Sequence, residues 1–298
     1  MPSYKNGNYF CFIDPSDGTK IRYTQDDYMN SAFPESIDLK VTNKCLMNCP
    51  MCHENSGPNG LHGDLLNTKF LDTLHPYTEL AIGGGDPLEH PDLEAFLIKM
   101  KEKNVYCNIT VHQNTFIKQN EYLQELSEKG LIHGIGVSIF SVDPWLLDLL
   151  KNFPNVVCHL IAGVVEVDLL ADLAFNDLKV LFLGYKVFRR GENCYKTFGN
   201  AINRRIEVLR DMLPTMKEED WFEVISFDNL ALKQLEVDKL VSPEEWKSFY
   251  MGSDGTHTMF CDLVNEEFTV GSTKNTRWPL KDTIEEMFEI VKANKNCD

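Results

Sequence analysis

Three cysteines stand at C-x3-C-x2-C spacing in Cys45-Leu-Met-Asn-Cys49-Pro-Met-Cys52. Thiolates are soft ligands, and three on one short loop can turn toward a single soft metal centre. Iron–sulfur clusters usually take four thiolates, so three leave one iron open. An open metal position is where a reacting molecule can bind, as in catalytic zinc sites. A zinc site, or three unrelated packed thiols, are the alternatives that the spacing leaves.

Other residues that could do chemistry follow apolar runs. Gly83-Gly-Gly-Asp-Pro87 comes directly after Leu80-Ala-Ile82. Consecutive glycines let backbone approach a ligand, and Asp86 with nearby carbonyls can accept from an ammonium group. A plain turn is the bland alternative. His112 and Asn114 follow a third apolar run, Ser138 ends a fourth, and Ile161-Ala-Gly163-Val-Val-Glu166 closes a fifth. Gly184-Tyr185-Lys186 follows a sixth, with Arg189-Arg190 close behind. These basic side chains either bind a substrate carboxylate or phosphate, or decorate a solvated loop.

The elements that must position these residues alternate strand and helix. The strands are Ile37–Val41, Leu80–Ile82, Tyr106–Val111, Gly134–Ile139, Val156–Ile161 and Val180–Leu183. Helical spacing falls between them. Asn67 or Thr68 can cap a short helix with Phe70, Leu71 and Leu74. Leu93, Phe96, Leu97 and Met100 share one face, and residues 121–129 form a helix that stops at Gly130. Asp143-Pro-Trp opens the next helix, and Leu169, Leu170, Leu173 and Phe175 belong to another. Ile202, Ile206, Leu209 and Leu213 mark a long helix ending before Pro214. Six such units predict an α/β fold, a parallel sheet curled into a partial (β/α)6 TIM-like barrel. Sites in parallel barrels lie at strand C-termini, where the cysteines already stand.

Residues 1–35 predict a lead-in β-hairpin, Tyr9–Ile13 against Lys20–Tyr23, turning at 14–18 and covering an edge or end of the sheet. The barrel core is expected over 36–220 and a small α+β extension over 221–298. Within that extension 223–227 and 231–235 read as strands, Pro243 opens a helix, and 258–263 and 268–270 form a hairpin. Residues 282–292 close it as a helix with Ile284, Met287, Phe288 and Val291 inward.

The chain carries net charge −16, which argues against holding extended nucleic acid by phosphate neutralisation and mildly favours a neutral or basic partner. No run of roughly 18 apolar residues is present, so no membrane span is expected. No secretory leader opens the chain, and the odd count of 9 cysteines fits a reducing cytoplasm and metal ligands rather than disulfides.

The cysteine spacing directly after a first strand resembles the signature of the radical S-adenosylmethionine (radical SAM) superfamily. The Gly83–Pro87 stretch, one unit later, is similar to that family's Gly-Gly-Glu-Pro motif, with Asp86 in place of glutamate. The resemblance implies that Cys45, Cys49 and Cys52 hold a 4Fe-4S cluster whose open iron is chelated by S-adenosylmethionine. Reductive cleavage would then give a deoxyadenosyl radical that abstracts hydrogen from a substrate. It implies that Gly83, Gly84, Gly85 and Asp86 bind the methionyl amine, and that Ser138 meets the ribose or carboxylate. Ile161 and Gly163 match the end of an adenine-contacting element, with His159 where a glycine usually stands, and the backbone at Tyr185 meets adenine. His112 and Asn114 face the same rim. The family often has an aromatic residue where this chain has Met51.

The layout of the C-terminal segment resembles SPASM/twitch auxiliary domains without their cysteines, so one cluster is expected and the segment acts as a lid or barrel plug. Cys261, if it faces the cofactor, could return a hydrogen atom, as in family epimerases. A peptide or protein side chain is the expected substrate, with a small metabolite or nucleotide as the alternative. A flavodoxin- or ferredoxin-type protein is the expected reductant. A metal- or cluster-stabilised binding protein without turnover is the rival class.

Overall fold

In the computed structural model, residues 1–14 and 18–296 are described. The centre of the turn expected at 14–18 and Cys297 lie outside them. Strands β1 (Ser3–Asn6), β2 (Tyr9–Ile13) and β3 (Lys20–Tyr23) form an antiparallel sheet. The expected hairpin is β2–β3, with β1 added. Alternation in β2 buries Tyr9, Cys11 and Ile13 and turns Phe10 and Phe12 outward.

The αβ alternation follows as β4 (Ser36–Thr42), β5 (Glu79–Gly84), α1 (Leu93–Glu102), β6 (Tyr106–His112), α2 (Gln113–Lys118) and α3 (Asn120–Glu128). Next come β7 (Gly134–Ser138), α4 (Pro144–Asn152), β8 (Val156–Ile161), α5 (Val167–Leu173), β9 (Lys179–Leu183) and α6 (Arg190–Glu218). Asp143 caps α4 by accepting from the Leu146 amide, with Pro144 in the first turn.

Several expected elements are corrected. Phe70 and Leu71 sit in a 3-10 turn, Lys69–Thr73. Helix α5 stops at Leu173, and Phe175 turns outward with φ 58°. Helix α6 runs through Pro214 to Glu218, because the buried Leu209, Leu213 and Met216 hold the turns on both sides of the proline. Its kink lies instead at Phe198.

Strands β4 to β9 lie side by side in chain order, all parallel. The C-terminal residues extend both edges of this sheet. β10 (Val224–Phe227) pairs parallel with β9. After α7 (Asn229–Gln234) and α8 (Pro243–Phe249), β11 (Thr258–Asp262) pairs parallel with β4 at the other end. β12 (Glu267–Thr269) and β13 (Trp278–Pro279) add antiparallel strands, and α9 (Ile284–Ala293) buries Ile284, Met287, Phe288 and Val291. The strand expected at 231–235 is helix α7 instead. Short apolar runs suit either state, and the Asp228 side chain caps the Ala231 amide, which decides for helix.

The two faces of the sheet differ. Ile37, Leu39, Ile82, Ile109, Val137, Leu160 and Phe182 point toward the helices and are buried in the apolar core. Alternation puts Asp38, Lys40, Asn108, Thr110 and His159 on the opposite, inner face. The sheet curls, since one cavity is lined both by β10 and by β4 with β11, from distant places in the strand order. The N-terminal sheet crosses the bottom of this barrel. Glu35, just before β4, pairs with Arg22 at 2.6 Å and accepts from Tyr9 at 2.5 Å, while Lys20 reaches Glu79 of β5.

Candidate functional site

The cysteine loop leaves the top of β4 and folds back on its own base. The Cys45 amide donates to the Gly57 carbonyl at 2.9 Å, Gly57 donates to Asn43 at 3.0 Å, and Asn43 donates to Leu61 at 2.8 Å. Gly60 is required there, since a Cβ would lie 2.0 Å from the Asn43 oxygen. Asn48 and Asn55 supply left-handed backbone at φ 49° and 56°, a conformation that asparagine tolerates. All three thiols are free and partly exposed.

The glycine turn is docked against the same stretch. The Gly85 amide donates to Thr42 at 2.6 Å and the Asp86 amide to Lys44 at 2.8 Å. A Cβ on Gly84 would stand 2.5 Å from the Thr42 oxygen, and one on Gly85 would stand 2.2 Å from the Lys44 oxygen. A Cβ on Gly83, by contrast, would meet nothing within 4 Å. Gly84 and Gly85 are therefore fixed by the cysteine loop, while Gly83 faces open space.

A buried ionic chain anchors the far side of the loop. Glu54, two residues past Cys52, lies 3.0 Å from Lys40 Nζ, 3.2 Å from His53 Nε2 and 3.2 Å from Arg189 Nη1. Lys40 also meets Asp262 of β11 at 2.9 Å. Burial opposes the charge of Glu54, but His53 and Lys40 outweigh it and hold the carboxyl well below the usual range. Arg190 donates to Asn48 Oδ1 at 2.7 Å and to the Ser56 carbonyl at 2.6 Å. Arg189 and Arg190 therefore clamp the cysteine loop, and neither of the sequence-based alternatives, a substrate anion site or a solvated loop, describes them. Lys186 donates to Ser272 at 3.0 Å and stands 3.4 Å from His53 Nε2.

The remaining predicted residues fare differently. Asp86 is buried; its Oδ2 accepts from Thr115 at 2.7 Å and its Oδ1 from the Leu88 amide at 3.2 Å. His112 ends β6, accepts from the Asn114 amide through Nδ1 and stacks on Phe140, so it caps α2, while Asn114 points to solvent. Ser138 and Ile161 end β7 and β8 on the inner face, and Gly163 takes φ 82° against Ile202. The backbone of Tyr185 is held by Gln234. Its N–H donates to Gln234 Oε1 at 2.8 Å and its carbonyl accepts from Gln234 Nε2 at 3.0 Å, so the peptide is already paired. Glu166 pairs with Arg205.

Cys261 is corrected. It is opposite Leu39 in register, so it shares the helix-facing side and is fully buried in the apolar core. Burial pushes its thiol well up, which leaves it an inert packing group.

Among the described residues, no three histidine, cysteine or carboxylate side chains stand at metal-holding separation. The donor set nevertheless fits a thiolate-held cluster. Cys45, Cys49 and Cys52 share one loop at a strand end, and burial pushes the Cys45 and Cys49 thiols up, with Cys52 adding to both. Metal binding to such thiols releases protons.

Sequence reasoning missed the roles of two inner-face groups, Asp38 and His159, and of Gln113 at the start of α2. Asp38 lines the cavity, and burial raises its carboxyl to about 6. His159 lies across Gly136, where a Cβ would come within 2.2 Å of the ring; its Nδ1 is buried without a partner, and burial lowers it to about 4. Gln113 holds the start of the β7–α4 connection, accepting from the Phe140 amide at 2.5 Å. For Asp38 and His159 the available signal was alternation, since polar residues inside otherwise apolar strands mark a ligand-facing side.

No family profile matches the chain. A PqqA peptide cyclase of Bradyrhizobium diazoefficiens is 23% identical over 127 residues, 41% of this chain and 33% of that enzyme. The chain thus spans about a third of the length of the curated relative it matches. Streptococcus suis SuiB bound to the precursor peptide SuiA shares the fold at TM-score 0.60 and 14% identity, over 90% of this chain and 68% of that one. SuiB bound to S-adenosylmethionine aligns at TM-score 0.60 and 13% identity, over 90% and 69%. The chain is therefore similar to SuiB in fold and, over part of its length, to the peptide cyclase in sequence.

Proposed function

We propose that this chain is a radical SAM enzyme acting on a peptide or protein side chain. The observation that carries it is the docking of the glycine turn on the cysteine loop through the Gly85 and Asp86 amides. That contact puts a Cβ-free surface at Gly83 beside three soft thiols at one barrel rim. Cys45, Cys49 and Cys52 would hold a 4Fe-4S cluster. Gly83, Ser138 and Ile161 would receive S-adenosylmethionine, with Gly84, Gly85 and Asp86 shaping the turn. When bound, the two groups would supply reductive cleavage to a deoxyadenosyl radical.

The chain's own residues orient and exclude water. Arg189 and Arg190 fix the loop, and the N-terminal strands close the barrel bottom. We assign 1–35 as lead-in, 36–220 as core and 221–298 as the extension that completes the barrel. The relatives point to peptides: one is a peptide cyclase and the other is bound to a precursor peptide. A flavodoxin- or ferredoxin-type reductant in the cytoplasm fits this chemistry. Among the described residues no helix is long and apolar enough to cross a membrane.

The test uses anaerobically reconstituted protein with S-adenosylmethionine and dithionite, reading 5′-deoxyadenosine by mass spectrometry. Product should form and vanish when Cys45, Cys49 and Cys52 are changed to alanine. Iron-loaded protein that binds S-adenosylmethionine yet yields none, with candidate peptides supplied, would favour the non-catalytic binding protein.

A further inference from the structure

A cavity of about 790 Å3 opens on the inner face of the barrel between β10 and β4. Its walls are mainly apolar, built by Met216, Phe227, Leu232, Leu240 and Trp246. Trp246 stacks on Tyr250 at 4.7 Å, giving the wall a rigid aromatic plate. Among the lining residues stand five carboxylates, Asp38, Asp220, Asp228, Glu245 and Asp254, and one lysine, Lys217.

Three of them are engaged by the fold: Asp228, Asp254 and Glu245, the last taking the Ser242 amide at 2.8 Å and Lys217 at 3.3 Å. Asp228 Oδ1 accepts from the Gly184 amide at 2.9 Å and the Ala231 amide at 2.7 Å. Asp254 Oδ1 accepts from Asn229 Nδ2 at 2.5 Å. The Asp38 side chain makes no hydrogen bond and no ion pair among the described residues, and desolvation and through-space charges act on it. It sits in mid-strand, open to the cavity and flanked by protein. Lys186, the cation acting on it, donates to Ser272 instead. Asp254, Asp228 and Glu54 add like charge.

An unpaired carboxylate facing an apolar chamber is complementary to an ammonium on an apolar stem. The stem gains the walls, the ammonium gains Asp38, and the surrounding carboxylates repel an anion. We propose that this cavity binds an alkylammonium group, its charge at Asp38 and its stem against Trp246 and Leu232. A lysine side chain of a peptide and a free aliphatic amine share this chemistry. The proposal names the substrate chemistry of the enzyme proposed above and rests on that reading.

The test titrates the full chain by calorimetry with hexylamine, 1-hexanol and hexanoate, without reductant or S-adenosylmethionine. Hexylamine should bind at least about tenfold more tightly than hexanol, the size of one charge-assisted contact, and hexanoate should not bind. Asp38→Asn should erase the advantage of the amine while hexanol binding persists, which also reports that the variant is folded. Trp246→Ala should weaken amine and alcohol together. Equal affinity for all three probes, or an amine affinity that Asp38→Asn leaves intact, overturns the proposal. N-acetyl-lysine N-methylamide set beside hexylamine distinguishes the two sources, the tighter ligand naming the class. Because deoxyadenosine formation is measured without these probes, failure here and failure of radical chemistry are separate results.

Discussion

Gly83 and Gly85 stand two residues apart and answer to different constraints. A Cβ at Gly85 strikes the Lys44 carbonyl, whereas one at Gly83 meets only open space. Gly85→Ala should therefore destabilise the fold by roughly 1–3 kcal/mol, as overpacking does. Gly83→Ala should melt like the parent in a thermal scan but bind S-adenosylmethionine more weakly. Equal effects on both quantities would mean that the two glycines share one job. Asp38 separates stability from function in another way. Burial raises its carboxyl from 3.8 to about 6, opposed by Lys186 and reinforced by Asp254, Asp228 and Glu54. A raised carboxyl favours the protonated fold, so its stabilising contribution is full below the ordinary value and disappears as pH rises through about 6. Asp38→Asn should melt at a higher temperature than the parent above neutral pH, and the two should converge in acid. The cysteines and the glycine turn were legible because spacing and adjacency are properties of the chain. Asp38 and His159 were not, since which face of a strand looks inward depends on how the sheet curls.

At the scale of elements, the cysteine loop is held from two directions. Its base is laced to β4 by backbone bonds, and its far end is tied by Glu54 to Lys40 and Arg189. Arg189 sits at the entrance of α6 and Lys40 bonds Asp262 of β11, so one carboxylate joins helix, strand and loop. Removing it leaves the buried Lys40 with Asp262 alone and takes away the carboxylate that joins it to Arg189. Breaking a buried pair in this way typically costs about 3–5 kcal/mol. Glu54→Ala should lose that much in urea unfolding and should also retain less iron after reconstitution. Glu54→Gln keeps the shape and some hydrogen bonds, so its loss should be smaller. An alanine variant with unchanged stability would show that the network is not what anchors the loop. The six strands were readable as short apolar runs and most of the helices between them from apolar spacing, with a cap read in advance at Asp143. Helix α7 was not, because a short apolar run fits both states and the decision lay in Asp228, which also binds the Gly184 amide 44 residues away in sequence.

Across the whole molecule, the barrel is completed by the last quarter of the chain. β10 lengthens one edge of the parallel run, β11 lengthens the other, and α9 buries its apolar face in the core beside the 3-10 turn Lys69–Thr73. A lid would pack on a finished barrel, whereas these strands supply part of its sheet. The register makes this explicit, since Asp262 lies opposite Lys40 and Cys261 opposite Leu39, so one face of β11 feeds the ionic network and the other feeds the core. Folding of the core and docking of the C-terminal segment should therefore be a single transition. Phe288 of α9 is 0% exposed, and Phe249 of α8 is 80% exposed. Phe288→Ala should cost about 3–5 kcal/mol and shift the entire melting curve, whereas Phe249→Ala should stay within about 0.5 kcal/mol. The decisive observation is the shape of the Phe288→Ala transition, followed both by tryptophan fluorescence and by far-ultraviolet circular dichroism. Coincident curves moved down together place α9 in the same cooperative unit as the barrel. A separate early transition, with the helical signal of the core untouched, would make the segment an autonomous lid.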